Sequence, residues 1–288
     1  MSAPRVSIAI PTWNGAAFVG ETLATALAQT FADIEVLVVD DASADGTLDV
    51  VAEVRDPRVR VLRGERRLGI PGNWNRCLSE ARGEYLKLLG QDDLLTATAV
   101  ERLVAALDAR ASSPLAFSRR EIRHEAGEHP LPLAGDSYPR ALERFYASFS
   151  QTVTGLEIVE GALGRGQDPT VNLVGEPSFV LMRTEAVRAI GGFDPAFRQL
   201  VDWDLWLRLG RRGPLVFVDE SLGVFRVHPR GASAAHNGSL TTRREFLGVL
   251  SRIRELYLGE LTPPSRRRLR QELWRCRRHY AFGWLGVS

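Results

Sequence analysis

Three places along the chain set carboxylates where an apolar core resists them. "KLLGQDDLL" (Lys87–Leu95) interrupts an apolar run with the adjacent acids Asp92 and Asp93. "VVDDAS" (Val38–Ser43) ends another run with Asp40 and Asp41, and "VDWD" carries Asp202 and Asp204. Like charges side by side repel and oppose desolvation. One such pair alone could be no more than a helix cap, since Asp is a favoured cap and "DASADGT" precedes a helical pattern from Thr47. Three acidic features converging on one edge call for a cation or a donor-rich ligand to offset them. A divalent metal chelated to a diphosphate supplies both, because Mg²⁺ and Mn²⁺ combine few carboxylates with phosphate oxygens.

The elements around these acids alternate. "RVSIAIP" (Arg5–Pro11), "IEVLVVD" (Ile34–Asp40), "RVRVL" (Arg58–Leu62) and "EYLKLLG" (Glu84–Gly90) read as strands, nearly all apolar where both faces are covered. Between them, Phe18, Thr22, Leu23, Ala26 and Leu27 recur at helical spacing, as do Val100, Leu103, Val104 and Leu107 further on. Strand–helix alternation predicts an α/β fold whose mostly parallel sheet is flanked by helices. Open parallel sheets bind ligands outside the carboxyl ends of their strands, where Asp40, Asp41, Asp92 and Asp93 fall.

After Pro114 the pattern changes. Residues 119–140 read as an irregular excursion, followed by helices around Pro139–Ser150 and Thr154–Leu163 and a strand at Pro177–Arg183. Helices are expected from Thr184, with a glycine stop, and from Val201. Strands are expected at Pro214–Glu220 and Leu222–His228. The small-residue loop His228–Ser239 is the candidate for a lid closing over a bound donor. From about Thr241 the chain reads as helical and basic.

The chain has 288 residues, with 37 Lys and Arg against 35 Asp and Glu, which is too balanced for a nucleic-acid-binding field over the whole surface. Cys77 and Cys276 have no metal-ligand spacing and suggest no disulfide framework. No apolar leader precedes the first strand, and no window reaches the roughly 20 apolar residues of a membrane span. A cytoplasmic location is expected, with peripheral contact at the inner membrane face as a variant.

Four segments, in order and spacing, resemble the family-2 nucleotide-sugar glycosyltransferases of bacterial type. "VSIAIPTWNGAAFVGETLATALAQTFADIEVLVVDDASADGT" (Val6–Thr47) is similar to their opening and "ARGEYLKLLGQDD" (Ala81–Asp93) to their metal-binding Asp-x-Asp segment. "GGFDPAFRQLVDWDLWLRL" (Gly191–Leu209) resembles the segment bearing their catalytic base, and "FRVH" (Phe225–His228) the strand closing the donor pocket. The resemblance implies a GT-A-type fold with a Rossmann-like nucleotide-sugar-binding half (about 1–115) and an acceptor and catalytic half (116–240). A basic helical extension (241–288) would follow. It implies a metal-dependent, inverting transferase using Mg²⁺ or Mn²⁺, with a UDP-sugar as the first expectation for the donor. Glycan, lipid-linked and small-molecule acceptors stay open, as do the donor sugar and base.

Carried over by position, the resemblance places Pro11, Thr12 and Asn14 at the base-and-ribose end of the nucleotide, with Asp40 and Asp41 accepting from the base. Asp92 would face the ribose or sugar, Asp93 and His228 would ligate the metal, and Asp202 would be the general base. Arg226, two residues before His228, shares its strand face and could contact phosphate. Arg66 and Arg67 are weaker candidates of the same kind. Two departures stand out: Gln91 occupies the position read as the first acid of Asp-x-Asp, and Val201 replaces the usual Glu before the base. Asp204 cannot substitute silently for Asp202, because two residues along a helix turn about 200°.

Two other readings compete. A sugar nucleotidyltransferase shares this architecture but carries a glycine-rich, Arg-containing phosphate loop, which "IPTWNGAAF" is not. A non-catalytic nucleotide-sugar-binding relic is compatible with Val201 and Gln91. On the acceptor side, Glu176 precedes a strand, and Trp203 and Trp206 offer faces for sugar stacking or for the core. In the tail, Leu269, Leu273, Cys276, Tyr280 and Trp284 form one helical stripe, with arginines over much of the rest. Such a helix either packs on the catalytic domain or lies on an anionic bilayer.

Overall fold

The computed structural model describes residues 3–125, 137–164, 171–231 and 240–282. Strands β1 (Val6–Thr12), β2 (Ile34–Asp40), β3 (Val59–Leu62) and β4 (Tyr85–Leu88) alternate with helices α1 (Val19–Leu27), α2 (Thr47–Ala52) and α3 (Gly69–Glu80). They pair in parallel in the order β3-β2-β1-β4. A two-residue strand β5 (Leu94–Leu95) and helix α4 (Ala99–Asp108) follow.

β1 illustrates why the sheet forms. Val6, Ile8 and Ile10 face a core made with Val19, Leu23 and Ala26 of α1, whereas Ala9 joins the opposite core with Cys77 and Leu78 of α3. Alternate side chains of a strand point to opposite faces, so a run that is apolar at both parities needs cover on both sides.

The second half completes the sheet with mixed polarity. Strand β6 (Leu115–His124), helix α5 (Ser137–Tyr146), strand β7 (Thr152–Val153) and helix α6 (Gly155–Ala162) precede a short 3₁₀ turn at Pro177–Phe179 and strand β8 (Val180–Arg183). Helices α7 (Thr184–Ala189) and α8 (Val201–Leu209) lead to the long strand β9 (Leu215–Val227). The sheet continues from β4 through β8, β6 and β9 to β5. β8 runs antiparallel to both β4 and β6, so the parallel character belongs to the first half and to the β6–β9 pair.

Two expectations are corrected. Residues 119–124 are strand, because β6 extends as a ribbon along β9. Its outer residues are largely solvent-facing, so the Arg and Glu that suggested an irregular segment are the side chains such a ribbon tolerates. The two strands expected at 214–228 are one, with the register shifting opposite Ser118–Glu121; a bulge absorbs Asp219 and Glu220. Most of the expected lid, residues 232–239, lies outside the described residues.

Helices α9 (Leu240–Tyr257) and α10 (Pro263–Phe282) close the chain. α9 packs on α8 and α6, and α10 packs on α9, burying Leu269 and Leu273. The apolar stripe of the tail is therefore spent on packing over its described length; Tyr280 and Trp284 lie outside the described side chains. Among the described residues no helix is long and apolar enough to cross a membrane.

Candidate active site

Strand pairing brings the acidic loop to the end of β9. Leu94 of β5 pairs antiparallel with Val224, so residues just before Leu94 lie beside those just after Val224. The outcome is Asp92 Oδ2 at 3.0 Å from His228 Nε2. Phe18, at the start of α1, stacks its ring 4.2 Å from that of His228 and lies 4.9 Å from the Arg226 guanidinium.

Asp93, the expected ligand, sits differently. It is buried, its Oδ2 accepts from the Ser178 hydroxyl (2.5 Å) and its Oδ1 from the Arg226 N–H (3.2 Å). Burial first, and the Asp92 charge second, push its carboxyl well above the usual carboxylate range. The geometry thus pairs Asp92 with His228 and makes Asp93 a brace between β9 and the Ser178 turn. Read in this register, the first position of Asp-x-Asp is Gly90 and Gln91 is its middle residue.

Gln91 has a role of its own. Its Oε1 accepts from the Trp13 N–H (2.9 Å) while its Nε2 donates to the Trp13 carbonyl (3.1 Å). A Cβ on Gly15 would stand 2.2 Å from that Oε1, so the loop after β1 can close on the amide only with glycine there. A carboxylate cannot donate to the carbonyl. Gln91→Glu is expected to lower unfolding free energy by about 1 kcal/mol, read as a lower urea midpoint at unchanged slope.

The residues expected around the nucleotide are mostly engaged with their own loops. Asp40 accepts from Thr12 Oγ1 (3.2 Å) and the Ser43 N–H (3.0 Å), and Asp41 accepts from the N–H groups of Leu68 (2.6 Å) and Gly69 (2.9 Å) at the start of α3. Both acids are buried, and these hydrogen bonds tie the loop after β2 to β1 and to the start of α3. Asn14 adopts a left-handed φ of 48° and accepts from the Ala44 N–H (2.9 Å), joining the loops after β1 and β2. Pro11 and Thr12 lie at the end of β1. Arg67 lies 3.4 Å from the centroid of the Trp13 ring, which places it at this edge. Arg226 is buried at the same edge. It pairs with Glu21 (2.5 Å), its Nε donates to the Asp92 carbonyl, and only its buried Nη2 has no partner.

A single segment, residues 172–178, links this edge to Asp202. Asn172 Nδ2 donates to Asp202 Oδ2 (3.0 Å) and to the Gly175 carbonyl (3.0 Å), which also accepts from Trp206 Nε1 (3.0 Å). Gly175 has φ +96°, and a Cβ there would meet the Arg120 guanidinium at 2.6 Å. Glu176 pairs with Arg120 at 2.6 Å, and Ser178 completes the run on Asp93. Asp202 Oδ1 accepts from the Trp203 N–H (2.7 Å) in the first turn of α8. Burial pushes its carboxyl up to about 7, with the Glu176 charge adding to the rise and the hydrogen bonds opposing it.

Asp204 faces elsewhere. Fully buried, it is neutralised by Arg208 (2.7 Å) and by Arg252 of α9 (2.8 Å). It fastens α9 to α8, while Asp202 is the acid of "VDWD" bonded to Asn172. Asp204→Ala is expected to destabilise by about 3 kcal/mol, because two arginines lose their shared counter-charge. Chemical denaturation checks this. Trp203 and Trp206 are both core residues, so neither is a stacking face for sugar.

Sequence reading missed Lys87, Arg120 and Asn172. Lys87 is fully buried in β4 and donates to the carbonyls of Ser178 and Val180, the latter at 3.3 Å. Burial lowers its pKa to about 7, against the pull of Asp93. The available signal was a lone lysine inside "EYLKLLG". Asn172 and Arg120 had none, since only the tertiary fold brings them to Asp202 and Glu176.

A mixed sheet with acids and a histidine at one edge defines a nucleotide-sugar-transferase type of fold, and comparison agrees. Residues 7–191 match the model of glycosyl transferase family 2, and the chain belongs to that family of glycosyltransferase enzymes. It is 30% identical over 262 residues to an uncharacterized protein of Mycobacterium tuberculosis (strain CDC 1551 / Oshkosh), covering 91% of this chain and 78% of that one. It is 36% identical over 106 residues to the succinoglycan biosynthesis protein ExoO of Rhizobium meliloti (strain 1021), covering 37% of this chain and 30% of ExoO. Its fold resembles that of S. aureus TarS 1-349 in complex with UDP-GlcNAc, with a TM-score of 0.66 and 19% identity over 96% of this chain and 73% of that one. It also resembles the mannosyltransferase PcManGT of Pyrobaculum calidifontis in complex with GDP-Man and Mn²⁺, with a TM-score of 0.62 and 18% identity over 100% of this chain and 77% of that one. The GT-A-type fold expected from the motifs is thereby met.

Proposed function

We propose that the protein moves a sugar, with inversion, from a nucleoside-diphosphate sugar to an acceptor hydroxyl, Asp202 acting as general base and Asp92 and His228 holding a divalent cation. The observation that carries this reading is the Asp92–His228 pair at 3.0 Å, with the segment 172–178 running from Asp93, next to Asp92, to Asp202. Two protein ligands would leave the remaining positions of a Mg²⁺ or Mn²⁺ ion to phosphate oxygens and water. An imidazole in the set favours Mn²⁺ over Mg²⁺.

When bound, the cation offsets the diphosphate charge and makes it a better leaving group. The chain's own residues do the rest. Asp202 takes the acceptor's proton on a carboxylate oxygen as the hydroxyl attacks, and Asn172 with the Trp203 N–H fixes that carboxylate's orientation. Because attack comes opposite the leaving group, one base suffices and the anomeric configuration inverts. The likeness to ExoO supports a place in polysaccharide building. UDP is the first expectation for the donor nucleotide.

The test is a thermal-shift panel of UDP-, GDP- and dTDP-sugars with and without Mn²⁺. A true donor at a hundredfold excess over its dissociation constant adds about 2.7 kcal/mol of stability. Stabilisation by one nucleotide class, dependent on Mn²⁺, is expected; no stabilisation by any of them overturns the reading.

A further inference from the structure

The last two helices form a groove that the transfer chemistry does not use. It lies between α9 and α10, encloses about 640 Å³, and is lined by Arg254, Leu258, Arg266, Arg270, Trp274 and Arg277. Its floor is apolar: Leu269 and Leu273 underlie it, packed against the domain. Trp274 is 57% exposed and Leu258 39% exposed, two of the five large apolar side chains that stand open among the described residues. Exposed Trp and Leu side by side are unfavourable in water unless something covers them.

Charge identifies the cover. Among the described residues none of Arg254, Arg266, Arg270 and Arg277 pairs with a carboxylate, although other arginines on these helices do: Arg252 binds Asp204 and Asp194, and Arg268 and Arg275 share Glu272. Arg266 turns one Nη to the Gly259 carbonyl (2.9 Å) and leaves its buried Nε without a partner. Arg278 stacks 4.5 Å from the centre of the Trp274 ring. Of the acids of α9 and α10, Glu255 pairs with Arg252, Glu272 with Arg268 and Arg275, and Glu245 accepts from the backbone N–H groups of residues 198–200, all outside the groove. What remains is a basic rim around an apolar floor, with a tryptophan at the lip.

We propose that this groove seats the protein on a bilayer carrying anionic phospholipids, with phosphate headgroups against the four arginines and the Trp274 ring at the headgroup–acyl boundary. Tryptophan suits that boundary because its body is apolar and its N–H is polar. Arginine suits phosphate because its planar fork donates in pairs. Leu269 and Leu273, part of the stripe for which a bilayer contact was one of two expectations, form the groove's floor instead. The contact does not depend on the donor chemistry, so it survives even if the assignment of Asp92 and His228 fails.

Flotation of the full chain with vesicles tests it, using phosphatidylcholine alone and phosphatidylcholine with 30% phosphatidylglycerol at 0.1 M salt. The protein is expected to float with the anionic vesicles only. Each arginine near an anionic surface contributes about fivefold to partition, so Arg270→Ala with Arg277→Ala should weaken it about 25-fold. Their melting temperature should stay at the wild-type value, since both side chains are exposed. In a Trp284→Phe background, bromine-labelled acyl chains should quench the fluorescence of the bound protein, and Trp274→Phe should remove most of that quenching while leaving binding. Equal flotation on neutral vesicles, unchanged binding by the double variant, or quenching that survives Trp274→Phe each overturns the proposal. So does a concentration-dependent dimer that the double variant abolishes, because the occupant would then be a second copy.

Discussion

Asp202→Asn is expected to cut sugar transfer by 10²–10⁴-fold while leaving nucleotide affinity unchanged and making the protein more stable at pH 8. The first effect is the removal of a general base. The second follows from the pKa of about 7. A carboxyl whose folded pKa lies above its unfolded value near 3.9 binds its proton more tightly when folded. Its ionisation therefore costs stability progressively from about pH 4 to pH 7, and the full cost is present above pH 7. Three units correspond to about 4 kcal/mol at most. Asparagine never ionises but breaks one of two hydrogen bonds, leaving a net gain of about 2 kcal/mol, or roughly 4 °C in Tm. A merely structural Asp202 would give the opposite sign. The wild-type kcat/KM should rise tenfold per pH unit up to about pH 7 and then level, because only the ionised base accepts a proton. Steady-state rates from pH 5.5 to 8.5 and melts at pH 8 check both halves.

Asp92→Ala is expected to abolish Mn²⁺-dependent stabilisation by nucleoside diphosphate and to lower kcat/KM on the order of 10³-fold, since a Lewis acid's share of the barrier is several kcal/mol. The instructive comparison is Asp93→Asn. Asp93 is closed off by Ser178 and Arg226, and asparagine keeps one acceptor for them, so transfer should stay within about tenfold of wild type. Thermal shift and initial rates on both variants decide the register. If Asp93→Asn proves the crippling change and Asp92→Ala the mild one, the cation is held by Asp93.

Much of this was legible in the sequence because it rests on local periodicity. β1, β2 and β4 announce themselves as apolar runs, and the acids at their ends fall at the sheet edge as open α/β topology requires. The choice between Asp92 and Asp93 was not legible. It depends on the antiparallel pairing of a two-residue strand with β9, and a one-residue offset exchanges which carboxylate meets His228. Gln91 reads as a lost acid until Trp13 is seen folded against it. Asp204 and Asp202 have the same sequence neighbourhood, and only the arrival of Arg252 from α9 separates the structural acid from the one beside Asn172. Charged residues misled at β6, where a solvent-facing ribbon carries the composition of a loop.

The central claim is that His228 and Asp92 together hold a divalent ion on a nucleotide's diphosphate. Pulsed electron paramagnetic resonance of Mn²⁺ in the full protein, with UDP, GDP and dTDP in turn, reads the ion's neighbours directly. One of these complexes should show phosphorus coupling together with nitrogen coupling from a single imidazole, and the nitrogen signal should vanish in His228→Gln. A Mn²⁺–nucleotide complex without nitrogen coupling, or one whose nitrogen signal survives His228→Gln, contradicts the claim.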